Sequence, residues 1–492
     1  MRYITKSRLI QFLQCGKLGF ISHHQPKELP TPDLATQRVF KQGHVVGFEA
    51  QKQYPDGIMI KAPAFKMEEA LKETQTLLSE NKTLFEATFA FEGVLVRVDI
   101  LNPVEGGWEI IEVKSSTEVK DEHINDVAIQ NWVLSNCGLT IKKCSVMTIN
   151  SKVTKGENIF NLFSVGEVTH TMFSQVEILV NRYKTILSKE KAPQVDIGKH
   201  CSNPYDCPLW EKCKAEKKLP KVSVLDIPNH KKKWFHYETG KVALTDLINE
   251  KWSPTQFRMI VSHLEGKLIS DLDVVSNFLS QLQYPLYYLD FETEQKAVPR
   301  LMKTRPYQQV VFQYSLHIEQ EDGAIEWVDY LANDESDPRE TVIKGLLANL
   351  GTEGSIISYN APFEVSRIRE MAKDFPQYRD GLLALLDRFI DPLTCFREGV
   401  YHPAFQGSFS IKSVAPALLG EKASYLNLEV QDGIMAQEYF DQILSEKDEV
   451  KKQGLISALR KYCRQDTYLM VLLMDWLRAV IKTKSGMFSA IS

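Results

Sequence analysis

The chain has no apolar run near the roughly 20 residues needed to span a bilayer; the stretch 469–474 is far too short. Its first fifteen residues, MRYITKSRLIQFLQC, mix charge with polarity and lack the apolar centre of a signal peptide. A cytoplasmic protein without a membrane partner is therefore expected. Net positive charge is also missing: 59 Lys and Arg against 63 Asp and Glu leave a formal charge of −4. Any contact with a polyanion must come from local basic patches rather than from the field of the whole molecule. Cysteine is sparse, eight in 492 residues, a thin framework for disulfides at this length. No internal repeat or low-complexity tract occurs. What is present, 43% hydrophobic and 25% charged residues, suits two or three ordinary globular domains.

Punctuation divides the chain into an amino-terminal domain (1–220), a connecting helical and basic segment (221–283) and a carboxy-terminal domain (284–492). In the first, VLVRVDIL (94–101) and WEIIEVKSS (108–116) flank the turn-forming NPVEGG and predict a β-hairpin. Lysines crowd the stretch 212–233, which ends in HKKKWFHY. Lysines bind phosphate and aromatics stack on bases, so this segment reads either as a single-strand groove or as a solvated linker. The last domain opens on the strand PLYYLDFET. Further strands follow at VVFQYSLHI, AIEWVDYLA and SIISYN, and a helix spans about 449–482.

With the hairpin turn centred near Glu105, Asp99 falls opposite Ile110, and strand parity places Asp99, Glu112 and Lys114 on one face. Two carboxylates hold a divalent cation that activates water, and a lysine beside them positions the attacking water, which is the chemistry of phosphodiester hydrolysis. A solvated strand face is the plain alternative, but Ile110, Ile111 and Val113 bracket the pair as in a buried strand. The stretch resembles the PD-(D/E)xK nucleases of the RecB-like and CRISPR-associated kind. That resemblance implies a supporting Gln on the next helix, here Gln130 in AIQNWVL, and makes His44 and Glu49 in FKQGHVVGFEAQKQYP further contributors.

Cys201, Cys207 and Cys213 recur at six-residue intervals in a polar loop, with Cys15 far upstream. Four thiolates suit an iron–sulfur cluster or a structural zinc, and His200 is an alternative to Cys15 as fourth ligand. The RecB-like resemblance, in which one Cys precedes and three follow the nuclease core, implies a [4Fe-4S] cluster, with zinc as the alternative.

In YYLDFET, Asp290 and Glu292 stand two apart on an apolar strand, so both carboxylates face one way and need cationic partners. SYNAPFEVSRI puts Asn360 at a strand-to-helix junction, as an N-cap, with Glu364 one turn on; YCRQDTYLM puts Tyr462 and Asp466 at i and i+4. Together these resemble the three exonuclease motifs of the DnaQ-like (DEDD) superfamily of the ribonuclease H fold. The resemblance implies that Asp290, Glu292 and Asp466 ligate two Mg2+ or Mn2+ ions and that Tyr462 orients the nucleophilic water. Glu364 departs from the Asp expected there, which brings Asp391 in FIDPLT into consideration and makes this centre the likelier passenger of the two. The segment YHPAFQGSFSIKSVAPALLG also resembles a linker in bacterial proteins that join a RecB-like nuclease to a carboxy-terminal domain of long-unassigned function.

The expected fold class is thus α/β, a PD-(D/E)xK restriction-endonuclease-like domain followed by a ribonuclease H-like exonuclease domain. The expected reaction is metal-dependent hydrolysis of DNA, at single strands or ends, in repair, recombination or defence, with RNA left open. The alternative is a nucleic-acid-binding scaffold with one or both centres inactive.

Overall fold

Alternating apolar and polar residues build two sheets, and the parity of each decides what it carries. The computed structural model describes residues 3–63 and 65–489. The chain is mixed α/β and divides into two compact units: residues 1–218 with 296–308, and residues 219–295 with 309–492.

The first unit holds strands β1 (Ile4–Thr5), β2 (Ile58–Met59), β3 (Leu84–Phe91), β4 (Val94–Val104), β5 (Gly107–Val113), β6 (Ile141–Ile149) and β7 (Phe160–Ser164). They form one sheet in the order β2-β3-β4-β5-β6-β7, with β1 parallel to β4. β3, β4 and β5 run antiparallel; β5 and β6 are parallel, joined by the helix Asp121–Asn136. One face buries Leu84, Val98, Leu101, Ile110 and Val146 with Val127, Ala128 and Val133 of that helix. The other buries Phe85, Ile100, Ile111 and Met147 with Val46 and Ala50 of the helix Leu34–Gln51.

The hairpin register differs from the expected one. Pairing continues to Val104↔Gly107, so the turn shrinks to Glu105 and Gly106, the latter at φ +75. Leu101 therefore lies opposite Ile110, and Asp99 comes level with Glu112 instead of Ile110. Parity is also interrupted there. The β3–β4 ladder skips the step between Phe85↔Ile100 and Ala87↔Val98, Glu86 takes φ +60, and Val98 and Leu101 end up on the same face.

The second unit contains β8 (Ile269–Ser270), β9 (Leu286–Gln295), β10 (Gln309–Glu319), β11 (Ile325–Leu331), β12 (Ser355–Ile357), β13 (Phe389–Ile390) and β14 (Val400–Tyr401). Its main sheet runs β11-β10-β9-β12-β13, with β10 antiparallel to both neighbours and β12 parallel to both of its own. Leu286 and Tyr288 of β9 join a core with Leu459, Leu469, Leu473 and Leu477 of the helix Glu449–Ser489. Tyr287, Leu289 and Phe291 face the helices Arg339–Asn349 and Pro362–Asp374. Asp290 and Glu292, in step with Leu286 and Tyr288, thus turn toward the long helix.

The segment expected to connect two domains is part of the second unit's core. Val224, Ile227, Leu247, Met259, Ile260 and Val275 are buried in the same cluster as Tyr288 and Leu459. Asn360 is not an N-cap: it adopts φ +71, tolerable for Asn, and Ala361 takes the cap position of Pro362–Asp374.

Candidate functional sites: two buried acidic centres and a thiol cluster

In the first unit, Glu112 collects hydrogen-bond donors from three directions. Lys114 Nζ donates to Glu112 Oε1 at 2.6 Å and to Asp126 Oδ2 at 2.5 Å; Lys6 Nζ donates to both Glu112 oxygens at 3.0 Å; Gln130 Nε2 donates to Oε2 at 2.6 Å. Lys6 also lies 3.2 Å from Asp126 Oδ1. Asp99 Oδ2 accepts from the Val113 N–H at 2.7 Å, the carboxylate standing in for a ladder partner where the strand pairing ends. Burial and the Glu112 charge raise Asp99 to about 7. Burial opposes the charge on Glu112, yet Lys114 and Lys6 hold it well below the usual carboxylate range. Lys6 is buried too, but Asp126 and Glu112 keep its ammonium above its ordinary value.

Four expected residues, Asp99, Glu112, Lys114 and Gln130, therefore meet. His44 and Glu49 do not join them: His44 is exposed, and Glu49 pairs with Lys52 at 2.5 Å. Sequence reading missed Asp126 and Lys6. Asp126 stands one helical turn before Gln130, a spacing that points to it; Lys6 is 106 residues from Glu112 and gives no local signal.

In the second unit, Asp290, Glu292 and Asp466 each offer a ligand oxygen, all within 4.8 Å of one another. All three turn from core elements, the acids of β9 meeting Asp466 from the long helix. Burial raises every one. Asp290 is pushed well above its usual value by burial, then by Asp466 and Glu292; Glu292 rises to about 8 by burial and Asp466; Asp466 reaches about 6 by burial, despite donors from Tyr425 and Tyr462. Glu364 is buried nearby with its Oε2 lacking a hydrogen-bond partner among the described residues, and burial raises it to about 8.

Around these acids stand groups that only donate or bridge. Lys412 Nζ donates to the Tyr462 hydroxyl at 3.0 Å and to the Gln431 carbonyl at 2.7 Å, and lies over the rings of Tyr425 and Tyr462. The Tyr425 hydroxyl donates to Asp466 Oδ1, and Cys463 Sγ approaches Asp290 Oδ2 at 3.7 Å. Asp391 is used elsewhere: its Oδ1 accepts from Asn360 N and Leu393 N at 2.9 Å each, capping the helix Pro392–Gly399. Lys412 lies in the quoted SFSIKSV segment without standing out there, and Tyr425 had no sequence signal.

The four cysteines also converge. Cys15 and Cys213 each help raise Cys201, after burial, and all three partners act on Cys207, which burial drives to about 11. Lys17 Nζ lies 3.5 Å from Cys213 Sγ, and His200 Nε2 lies 3.6 Å from Cys201 Sγ. No helix among the described residues is long and apolar enough to cross a membrane.

Residues 287–410 match the family described as Domain of unknown function (DUF2779), a span that includes Asp290, Glu292 and Glu364 but ends before Lys412 and Asp466. The chain is 28% identical to the uncharacterized protein MG366 homolog of Mycoplasma pneumoniae over 203 residues, 37% of this chain and 31% of the relative. It is 26% identical to the uncharacterized protein MG366 of Mycoplasma genitalium over 232 residues, 43% of this chain and 35% of the relative. The chain thus spans about a third of the length of these relatives. Among solved structures it is similar to one titled crystal structure of SSO0001, with 13% identity and a TM-score of 0.23, covering 44% of this chain and 87% of that one.

Proposed function

We propose that this protein is a metal-dependent nuclease hydrolysing DNA phosphodiester bonds, with a PD-(D/E)xK, RecB-like first unit and a DnaQ-like second unit of the ribonuclease H type. The observation that carries the reading is the trio of half-buried Asp290 with buried Glu292 and Asp466, whose ligand oxygens lie within 4.8 Å of one another, with Glu364 close by and every carboxyl raised. Buried anions at that spacing need protons or cations, and an all-oxygen donor set suits Mg2+ or Mn2+. Such ions, when bound, supply the Lewis acidity that polarises a phosphodiester and makes water nucleophilic near neutral pH.

The chain's own residues do the rest. Lys412 is purely a donor, so the Tyr462 oxygen accepts from it and the phenol proton points onward, toward Asp466 or a water at the acids. Tyr462 is thereby held to orient that water. The sheet, with the first two acids on its central strand and helices against both faces, supports the ribonuclease H-like reading. Asp99, Glu112, Lys114 and Gln130 on β4, β5 and the following helix support the PD-(D/E)xK one.

The two centres differ in charge. Asp99, Glu112 and Asp126 meet two ammonium groups, whereas the second centre sets four carboxylates against Lys412. The second therefore has the stronger demand for cations, which reverses the ranking that Glu364 suggests in the sequence. For the thiols, a tetrahedral zinc with ~2.3 Å bonds would draw sulfurs to about 3.8 Å. Four thiols drawn from two distant segments suit either ion set, and the RecB-like resemblance favours the larger [4Fe-4S] cluster over zinc.

End-labelled single- and double-stranded DNA and RNA, with Mn2+ or Mg2+, test the reading on the unaltered chain, Lys114→Ala and Asp290→Ala. We expect Asp290→Ala to remove most of the digestion of DNA, and product lengths to show whether cutting starts from an end. No cleavage of any substrate by any form would replace this reading with that of a nucleic-acid-binding scaffold.

A further inference from the structure

The segment 221–283 encloses two cavities within the second unit. The first, of about 780 Å³, is lined by Asn229, Ser253 and Gln256 on one side and by Tyr359, Asn360, Arg397 and Ser410 on the other. Along the chain, its lining leads to residues of the acidic centre. Asn360 stands four residues before Glu364, and Ser410 and Ile411 lead directly into Lys412. Its lining contains no acid.

The second cavity, of about 600 Å³, shares Asn229 and Gln256 with the first, so the two are neighbours. Lys231, Lys232 and Lys251 rim it, exposed and with no ion-pair partner among the described residues. Its one acid, Glu250, is already paired with Lys241 at 2.5 Å. At its wall the His230 ring meets Trp252 edge-on at 4.8 Å and His236 at 5.0 Å. Trp252 is fixed by its Nε1 donating to the Leu247 carbonyl at 2.8 Å. His236 is only 4% exposed, and its Nδ1, like His230 Nε2, has no hydrogen-bond partner among the described residues. Buried imidazole nitrogens left unpaired cost free energy unless something else meets them.

Three unpaired cations, recessed rings and unsatisfied ring nitrogens form the combination that takes a chain of phosphates and bases. We infer that the two cavities are one groove that carries a single strand of nucleic acid away from the acidic centre. Lys231, Lys232 and Lys251 hold its phosphates, and a base lies against His230 and Trp252. A duplex presents its bases edge-on and stacked, so it cannot bring a base face to recessed rings. The inference rests on the nuclease reading only for where the strand's end is delivered.

Binding is measured without catalysis, by anisotropy of a fluorescein-labelled oligothymidylate and a duplex of equal length in EDTA, on the full chain. The variants are Lys231→Glu/Lys232→Glu/Lys251→Glu and the matching triple Arg form, at exposed positions whose exchange leaves the core intact. The Glu form is expected to bind the single strand at least ~10-fold more weakly, with a log–log salt slope shallower by about 2, as for three lost phosphate contacts. The Arg form is expected to bind as the unaltered chain does. Binding by the Glu form within twofold of the unaltered chain, or tighter binding of duplex than of single strand by the unaltered chain, would overturn the groove. Digestion is scored separately: a groove lost in the Glu form while no form digests DNA leaves this inference standing and removes the nuclease reading.

Discussion

A carboxyl whose pKa rises on folding holds its proton more tightly in the folded chain, so deprotonating it subtracts stability. Asp466 at about 6, Glu292 and Glu364 at about 8 and Asp290, well above its usual value, all shift this way, with burial the largest cause, and Asp99 at about 7 adds to them. Between about pH 4 and pH 8 these carboxyls bind more protons folded than unfolded, so their contribution to stability falls as pH rises, while His317, lowered by burial to about 4, acts in the opposite sense below about pH 6.5. The shifts of Lys6 and Lys114 act above that window, and that of Glu112 reaches only its lower edge. In EDTA, the second unit's melting temperature is expected to fall across it, and Mn2+ is expected to flatten the slope by taking the place of protons. Asp290→Asn, which removes a carboxyl whose ionisation burial and its neighbours resist, is expected to raise the EDTA melting temperature at pH 8 by a few degrees. A slope indifferent to Mn2+ would show that the acids are not a cation site. At this scale the spacing of Asp290 with Glu292, and of Glu112 with Lys114, was legible because strand alternation alone sets it. Lys6 was not, because nothing local ties residue 6 to residue 112.

Elements decide where those residues point. β9 could be read in advance: its alternation sends tyrosine and leucine to the core faces and both acids to the long helix. β4 could not, since Asp99 sits at a break in both ladders where parity fails, and its carboxylate takes a backbone N–H instead. The turn 402–410 is held by a close approach. Gly407 has φ +84, and a Cβ there would lie 2.5 Å from the Asp226 carbonyl oxygen. Gly407→Ala should cost on the order of 1–3 kcal/mol in backbone strain and displacement. Because this turn leads into Lys412, it should also slow Mn2+-dependent digestion while leaving a first-unit melting transition where it was. Calorimetry alongside a digestion assay checks both, and an unmoved second-unit transition would show that the turn yields freely.

At the scale of the whole chain, the thiols join segments nearly two hundred residues apart, Cys15 between the helices Lys6–Gln14 and Gly16–His24 and the other three in 201–213. A cluster ligated by all four closes a very long loop, the condition under which a cross-link removes most entropy from the unfolded chain. Cys207→Ser is therefore expected to remove iron, sulfide and the thiolate-to-iron absorption from anaerobically prepared protein, and to lower the first unit's melting temperature but not the second's. Stoichiometric zinc without sulfide in the unaltered protein would reverse the assignment.

The sequence by itself determined the local patterns: which strands alternate, which acids share a strand face, which helix carries Tyr462 above Asp466, and where thiols cluster. Periods of 2 and 3.6 residues are properties of the backbone, so they survive without tertiary context. Only the tertiary structure decided that Lys6 and Asp126 complete the first centre, that Lys412 and Tyr425 brace the second, and that the basic segment 221–283 belongs to the second unit's core. Those depend on long-range closure, where apolar burial brings distant segments together and no spacing along the chain records the result.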